Sequence, residues 1–188
     1  MYKKALKVLK SGGIITFPCD TVMGIGCSMS NRKAIKRLYN IKNRSFSQPT
    51  AVLVENQQMA GTLIGVKIDK CLNSIMEKYW SGALTIVVKA SEIVPQEIMG
   101  QTDKVGIRVP NSPQLQQMIG KLGSPLVATS ANFFGEETPI RYSQIDKEFL
   151  KLVDYSIRED STGISASTVI KYKGNGNLEY LRKGLIEV

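Results

Sequence analysis

Histidine is absent from this 188-residue chain. That removes Ser-His-Asp and Cys-His nucleophile systems, and every metal site built on imidazole, in one step. Cysteine is scarce: Cys19, Cys27 and Cys71 are odd in number and lack the close paired spacing of a zinc site. They read as reduced thiols, with no disulfide. No apolar run approaches the ~18 residues that a membrane span requires. Met1 to Leu9 is too rich in lysine for a secretory signal core, so a cytoplasmic protein with no membrane association is expected. Gly24 and Gly26 are followed by Met29 where a dinucleotide fingerprint needs its third glycine, which excludes a Rossmann reading. A Walker phosphate loop is missing as well. The chemistry is left to hydroxyls, amides and cations.

What is present fits one ordinary domain. Apolar residues make up 43% of the chain, and its length lies within the range of about 50 to 250 residues common for single domains. No internal repeat, low-complexity segment or linker divides it, so residues 1–188 are expected to form one unit. The charge of +9, from 25 basic and 16 acidic side chains, favours anionic partners such as nucleotides, phosphates or RNA without choosing among them.

The most informative stretch is Pro125 to Gly135. Leu126 to Ala128 has the pattern of a short buried strand, and it breaks into Thr129, Ser130 and Asn132 before Gly135. In open α/β sheets, ligands bind outside the carboxyl ends of strands, where such groups can turn toward a substrate. A polar turn of Ser, Asn and Gly is the plainer reading of the same letters.

Upstream, Tyr2, Ala5, Leu6 and Leu9 share a helical face that Gly12-Gly13 closes. Ile14 to Phe17 reads as a strand, and Pro18 to Gly26 as a functional loop after it. Asn31 can cap a helix with Ala34, Ile35, Leu38 and Tyr39 inward and Arg32, Lys33, Lys36 and Arg37 on a solvated side. Lys42 and Arg44 follow in an irregular stretch closed by Pro49. At alternate positions the two cations could straddle a polyphosphate.

Further strands are expected over Ala51 to Val54, Leu84 to Val88 and Val105 to Val109, the last carrying Arg108. Helices are expected through Leu72 to Tyr79 and from Ser112-Pro113 to Gly123. Ser143 is placed as the cap of a helix containing Ile145, Phe149 and Leu152, and Tyr155 to Ile157 adds a short strand. Ser167 to Tyr172 and Leu178 to Leu181 bracket a turn-rich Lys173 to Asn177, a hairpin whose return strand presents Arg182. The mixture gives an α/β fold with a mixed sheet.

Taken together, Pro18 to Gly26, Lys42 to Arg44 with Pro49, Trp80 to Thr85, Val105 to Pro110, Pro125 to Asn132, Ser167 to Val169 and Arg182 to Gly184 resemble the YrdC family of threonylcarbamoyl-AMP synthases. These stretches cover the chain nearly end to end. The resemblance implies a single-domain, twisted, open mixed sheet flanked by helices, with a basic concave cavity. It implies a nucleotidyltransferase that makes threonylcarbamoyl-AMP and pyrophosphate from L-threonine, bicarbonate or carbon dioxide, and ATP. The product would serve a separate threonylcarbamoyl transferase complex that modifies tRNA.

By matching motifs, Lys42, Arg44, Ser130, Asn132 and Arg182 are assigned to ATP, with Lys42, Arg44 and Ser130 as the catalytic set. Gln48 and Thr138 are added on weaker matches. Thr21, Arg108 and Ser167 are assigned to threonine and its carbamate. Magnesium is expected to arrive with ATP, without a protein-ligated site.

The chain departs from the usual family wording at several points. Cys19-Asp20 stands for Thr-Glu, Met23 for tyrosine, Ser45 for a proline, Ser81 and Ala83 for prolines, and Phe134 for a small residue. Leu53 stands where many members have histidine, and it cannot donate the hydrogen bond that histidine could. The alternatives are a noncatalytic RNA-binding protein of translation or ribosome maturation, or a paralogue with altered substrate. RNA could also be an additional ligand of an active enzyme.

Overall fold

The computed structural model describes residues 1–188. Helix α1, Tyr2–Lys10, stops where Gly12 takes a φ of 81°, the left-handed turn that glycine adopts without a Cβ clash. Strands β1 (Ile15–Phe17) and β2 (Gly24–Ser28) follow. Helix α2, Arg32–Ile41, is capped by Asn31, whose side-chain oxygen accepts from the Ala34 amide at 2.9 Å. Next come β3 (Ala51–Leu53), α3 (Gln57–Leu63), α4 (Lys70–Tyr79), β4 (Leu84–Lys89), α5 (Gln96–Met99) and β5 (Lys104–Arg108). Helix α6 (Pro113–Leu122), β6 (Leu126–Ser130), α7 (Lys147–Lys151), β7 (Tyr155–Ser156), β8 (Thr168–Tyr172) and β9 (Leu178–Arg182) complete the chain.

All nine strands join one mixed sheet in the order β7-β1-β2-β6-β3-β5-β4-β8-β9. The pairs β1/β7, β3/β5 and β4/β8 are parallel, and the other neighbours are antiparallel.

Three sequence expectations shift. Gly24 and Gly26 lie within β2 rather than in a loop: a Cβ on Gly24 would strike the Phe17 ring, so the glycines let β2 pass close to that ring. Strand β6 runs two residues past Ala128, because β2 supplies ladder partners as far as Gly24↔Ser130. Ser143 caps no helix: it sits in a 3-10 turn, Tyr142–Gln144, and Asp146 caps α7 by accepting from the Glu148 and Phe149 amides.

The two sheet faces are covered unequally, and that positions the site. On one face α2, α3 and α4, with α5 and α7, bury a large cluster including Ile86, Val105, Ile107 and Ile170. On the other, α1 and α6 cover only the sheet half holding β1 and β6, packing Leu9, Met118 and Ile119 on Ile15, Phe17, Leu53 and Leu126. Successive strand residues point to opposite faces. The alternate positions on β5, β4 and β8, namely Gly106, Val87, Val169 and Lys171, therefore face this second side and stay half-buried with no helix above them. They form the floor of a hollow.

Candidate functional site

The hollow encloses about 430 Å³. Apart from Lys171 its floor is small or apolar, and with that lysine the lining carries five lysines and arginines (Arg44, Lys104, Arg108, Lys171 and Arg182) and no carboxylate. Lys104 and Lys171 are partly answered from outside by Asp103 at 2.7 Å and Glu179 at 3.6 Å. Of the ten residues singled out from the sequence, seven line it: Thr21, Arg44, Arg108, Ser130, Thr138, Ser167 and Arg182. Lys42, Gln48 and Asn132 do not.

At one end, Arg108 closes β5 with its side chain only 6% exposed. Its Nη2 donates to Asp20 Oδ1 at 2.5 Å, Nη1 to Thr21 Oγ1 at 2.8 Å, and Nε to the Gly82 carbonyl at 2.9 Å. The Gly82 turn fits only glycine, since a Cβ there would lie 2.6 Å from the Tyr79 carbonyl oxygen. Asp20 was not singled out from the sequence. A buried acid beside a hydroxyl is the signal, and it became meaningful only once Arg108 stood opposite. Neighbouring Cys19 also lines the hollow, but burial pushes its thiol up to about 11, so it is no nucleophile at neutral pH.

Across the floor, Thr85 and Ser167 share a hydroxyl hydrogen bond of 2.8 Å, and Arg182 binds Ser167 twice, through its carbonyl at 2.9 Å and its hydroxyl at 3.1 Å. Leu181 and Arg182 both line the hollow although adjacent on β9. The register slips between Val169 and Ile170, which pair with Arg182 and Tyr180, so Leu181 is an extra residue. Such a bulge turns the side chain that follows it.

The opposite wall is the segment after α2. The Tyr39 hydroxyl accepts from Thr50 and donates to the Gln48 carbonyl, and the Phe46 ring stacks on Tyr39 at 4.7 Å. Arg44 is thereby held against the Pro49 carbonyl at 2.6 Å, with its Nε buried and unpartnered. Neither Arg44 nor Arg182 has an acidic partner within 4.0 Å. Burial lowers the pKa of both guanidinium groups, and for Arg182 the charge of Arg108 adds to it. Arg44 is half-buried and Arg182 is exposed on the rim, and two cations without counter-charges on one hollow make a place for an anion.

Lys42 lies behind this wall, 3% exposed. Its ammonium donates to the carbonyls of Ser130 and Asn132 and to Asn132 Oδ1, while Asn132 Nδ2 donates to the Glu136 carbonyl. Three residues expected at the nucleotide thus form one cluster, of which only Ser130 reaches the hollow. Burial first, and the charge of Arg44 second, bring Lys42 down to about 8. Between pH 8 and its ordinary value near 10.5 the unfolded chain holds this proton more than the folded one does, so stability due to Lys42 rises with pH across that window. Denaturant unfolding at pH 7.5 and 9.5 checks this: the wild-type chain gains relative to Lys42→Met, and an unchanged difference disproves it.

Thr85, Lys104 and Lys171 were also missed, although the period-two alternation of Leu84 to Val88 already put Thr85 on the face opposite Leu84 and Ile86. No group of three or more Cys, Asp or Glu side chains is placed to hold a metal ion, and no helix is long and apolar enough to cross a membrane.

With this geometry in hand, the likeness to known proteins is specific. A putative threonylcarbamoyl-AMP synthase of Methanocaldococcus jannaschii is 33% identical over 99% of this chain and 88% of its own length. A threonylcarbamoyl-AMP synthase of Pseudoalteromonas translucida is 29% identical over 93% of this chain and 94% of its own. Among solved structures, P. abyssi Sua5 complexed with L-threonine superposes with a TM-score of 0.90 at 27% identity, covering 96% of this chain. The chain spans about half, 53%, of that protein. The twisted mixed sheet with flanking helices is therefore the fold of these proteins. The model of the Sua5/YciO/YrdC family, described as telomere recombination, matches residues 7–184. The chain belongs to the Sua5/YciO/YrdC family.

Proposed function

We propose that this chain is a threonylcarbamoyl-AMP synthase, a nucleotidyltransferase that joins L-threonine, carbon dioxide or bicarbonate, and ATP, releasing pyrophosphate. The observation that carries the reading is the pair Arg44 and Arg182, two guanidinium groups without carboxylates on the walls of a hollow whose other end is built from Arg108, Thr21 and Ser167. The names of the relatives, matched over nearly the whole chain, favour catalysis over a noncatalytic RNA-binding role.

In this reading the amine of threonine captures carbon dioxide and loses a proton to solvent. A carbamate oxygen then attacks the α-phosphorus of ATP, and the bond to the bridging oxygen breaks as pyrophosphate leaves. No protein nucleophile takes part. Arg44, Arg182, Ser130 and Thr138 hold the triphosphate in line and stabilise charge on its oxygens. Lys42 and Asn132 are positioning residues that hold the Ser130 end of β6, and Gln48 acts through the loop carrying Arg44.

Thr21, Arg108 and Ser167 hold threonine and its carbamate. The lining offers no carboxylate to a magnesium ion, which fits the reading that magnesium would enter on the phosphate oxygens of ATP. The adenylate would be consumed by a tRNA-modifying transferase complex.

The test supplies ATP, magnesium, bicarbonate and L-threonine and follows pyrophosphate and the adenylate by mass spectrometry. Both products are expected, and omitting threonine or bicarbonate abolishes the adenylate. Protein that makes none under complete conditions refutes the reading. Ser130→Ala is expected to lower kcat/KM for ATP by roughly ten- to a hundredfold, the loss of one hydrogen bond to a charged group. Lys36→Ala, on the solvated side of α2, changes it little; equal loss in both disproves the site map.

A further inference from the structure

The guanidinium of Arg182 sits in an insecure place. Arg182 is the last residue of β9, an edge strand, and it is exposed together with Tyr180 and Leu181 before it and Lys183 to Leu185 after it. The pairing of β9 with β8 ends at Arg182, directly beyond the extra residue Leu181. The end of an edge strand frays unless something ties it down. Its two bonds to Ser167 fix the side chain only as well as the backbone beneath it is fixed.

The tie is made by the residue after Ser167. Thr168 is fully buried, and as the next residue along the chain it points to the sheet face opposite Ser167. Its Oγ1 accepts from the amides of Gly184 and Ile186, each at 3.1 Å, and donates to the Ile186 carbonyl at 2.8 Å. Both lone pairs and the one proton are used. The Thr168 amide in turn donates to the Ala83 carbonyl at 3.0 Å, one residue past the Gly82 turn that Arg108 holds.

The returning segment is shaped for this contact. A Cβ on Gly184 would lie 2.6 Å from the Thr168 nitrogen and 2.7 Å from the Ala166 carbonyl oxygen, so only glycine lets the chain pass this close. Beyond it Ile186 packs against the larger core cluster. Ser167 and Thr168 thus grip one short stretch from two sides: Ser167 takes the guanidinium of Arg182 in the hollow, and Thr168 takes the backbone two residues later from beneath the sheet. Valine, of nearly the same shape, would suit a fully buried strand position without any need for partners. The hydroxyl has a use only in its bonds.

We propose that Thr168 is a positioning residue for the nucleotide: by pinning Gly184 and Ile186 it fixes the backbone of Arg182, and so the place of that guanidinium in the hollow. This rests on the reading of Arg182 as a ligand of the triphosphate. Thr168 does not line the hollow and touches no substrate.

The experiment compares Thr168→Val, Thr168→Ser and Gly184→Ala for kcat/KM with ATP, each also in an Arg182→Gln background. Displacing a binding group by about 1 Å can cost as much as a hundredfold, so Thr168→Val is expected to lose roughly tenfold. Thr168→Ser keeps the hydroxyl and should stay within about threefold of the wild type. Gly184→Ala, which pushes the segment off an intact Thr168, should match Thr168→Val and keeps the question answerable if the valine variant does not fold. Arg182→Gln alone should lose roughly a hundredfold. Added to it, Thr168→Val or Gly184→Ala should cost less than about threefold more, because the group they act through is gone.

Ser28→Ala breaks a buried hydroxyl pair with Ser30, 2.8 Å long and away from the hollow, and should lower Tm without lowering kcat/KM. A second readout needs no turnover. The Arg182 Nε–H resonance, identified by its disappearance in Arg182→Gln, should be sharp in the wild type and Thr168→Ser and broadened in Thr168→Val. The proposal is overturned if Thr168→Val and Gly184→Ala lower Tm while leaving kcat/KM as it was, or if their losses add in full to that of Arg182→Gln. A resonance unchanged in Thr168→Val overturns it as well. Should no protein of the set make adenylate, the synthase reading falls, and the resonance alone then decides whether Thr168 holds Arg182.

Discussion

Arg44→Gln lowers kcat/KM for ATP by about two to three orders of magnitude while leaving the protein as stable as before, or more so. The size follows from removing a preorganised cation from charge that develops on phosphate oxygens. The sign of the stability change follows from what Arg44 lacks. It is half-buried, has no carboxylate partner, and its Nε meets no acceptor, so the empty protein bears its desolvation without return. Glutamine can still donate to the Pro49 carbonyl that Arg44 Nη2 now holds. Steady-state kinetics paired with thermal unfolding decide the matter. Loss of activity together with a large fall in Tm would make Arg44 structural, and unchanged activity would take the triphosphate away from this wall.

That prediction could be framed from the letters, since Lys42 to Arg44 before Pro49 already suggested a phosphate grip. Other features were legible for the same local reason. Asn31 announced the start of α2, Gly123 with a φ of 69° its counterpart at the end of α6, and Lys173 to Asn177 a hairpin closed by three positive-φ residues. Each is a backbone requirement that one or two side chains satisfy on their own.

What was not legible depended on partners distant in sequence. Ser130 looks like a loop residue until β2 pairs with it, and Arg182 reaches the hollow because one residue bulges in β9. The hollow itself could not be read from any segment. It exists because α1 and α6 cover only half of one sheet face, and a sequence does not state where helices are missing. Lys42 illustrates the limit from the other side. Its residue type and position were right for a nucleotide site, yet its ammonium is spent on the carbonyls that hold Ser130 and Asn132 in place.

Asp20 and Arg108 carry the largest expected effect on stability. Their side chains are 9% and 6% exposed, and Asp20, one methylene shorter than the glutamate that family wording leads one to expect, still reaches the guanidinium. Asp20→Leu leaves a buried cation without its counter-charge, and Arg108→Met leaves a buried carboxylate, the Thr21 hydroxyl and the Gly82 carbonyl without their donor. Each change alone is expected to cost about 3–5 kcal/mol, because breaking such a pair strands a desolvated charge. The combination Asp20→Leu with Arg108→Met strands neither charge, and apolar groups of similar volume often replace a buried pair at no net cost. It should therefore recover more than half of either single loss, a strong coupling in a double-mutant cycle. Threonine use, in contrast, should not return, since the donor proposed for the carbamate is gone in the double variant as in Arg108→Met. Urea unfolding of the three proteins beside adenylate assays separates the two roles. A double variant as unstable as the sum of its parts would mean that the pair is not the element holding this end of the hollow together, and a double variant that still makes adenylate from threonine would remove Arg108 from the substrate altogether.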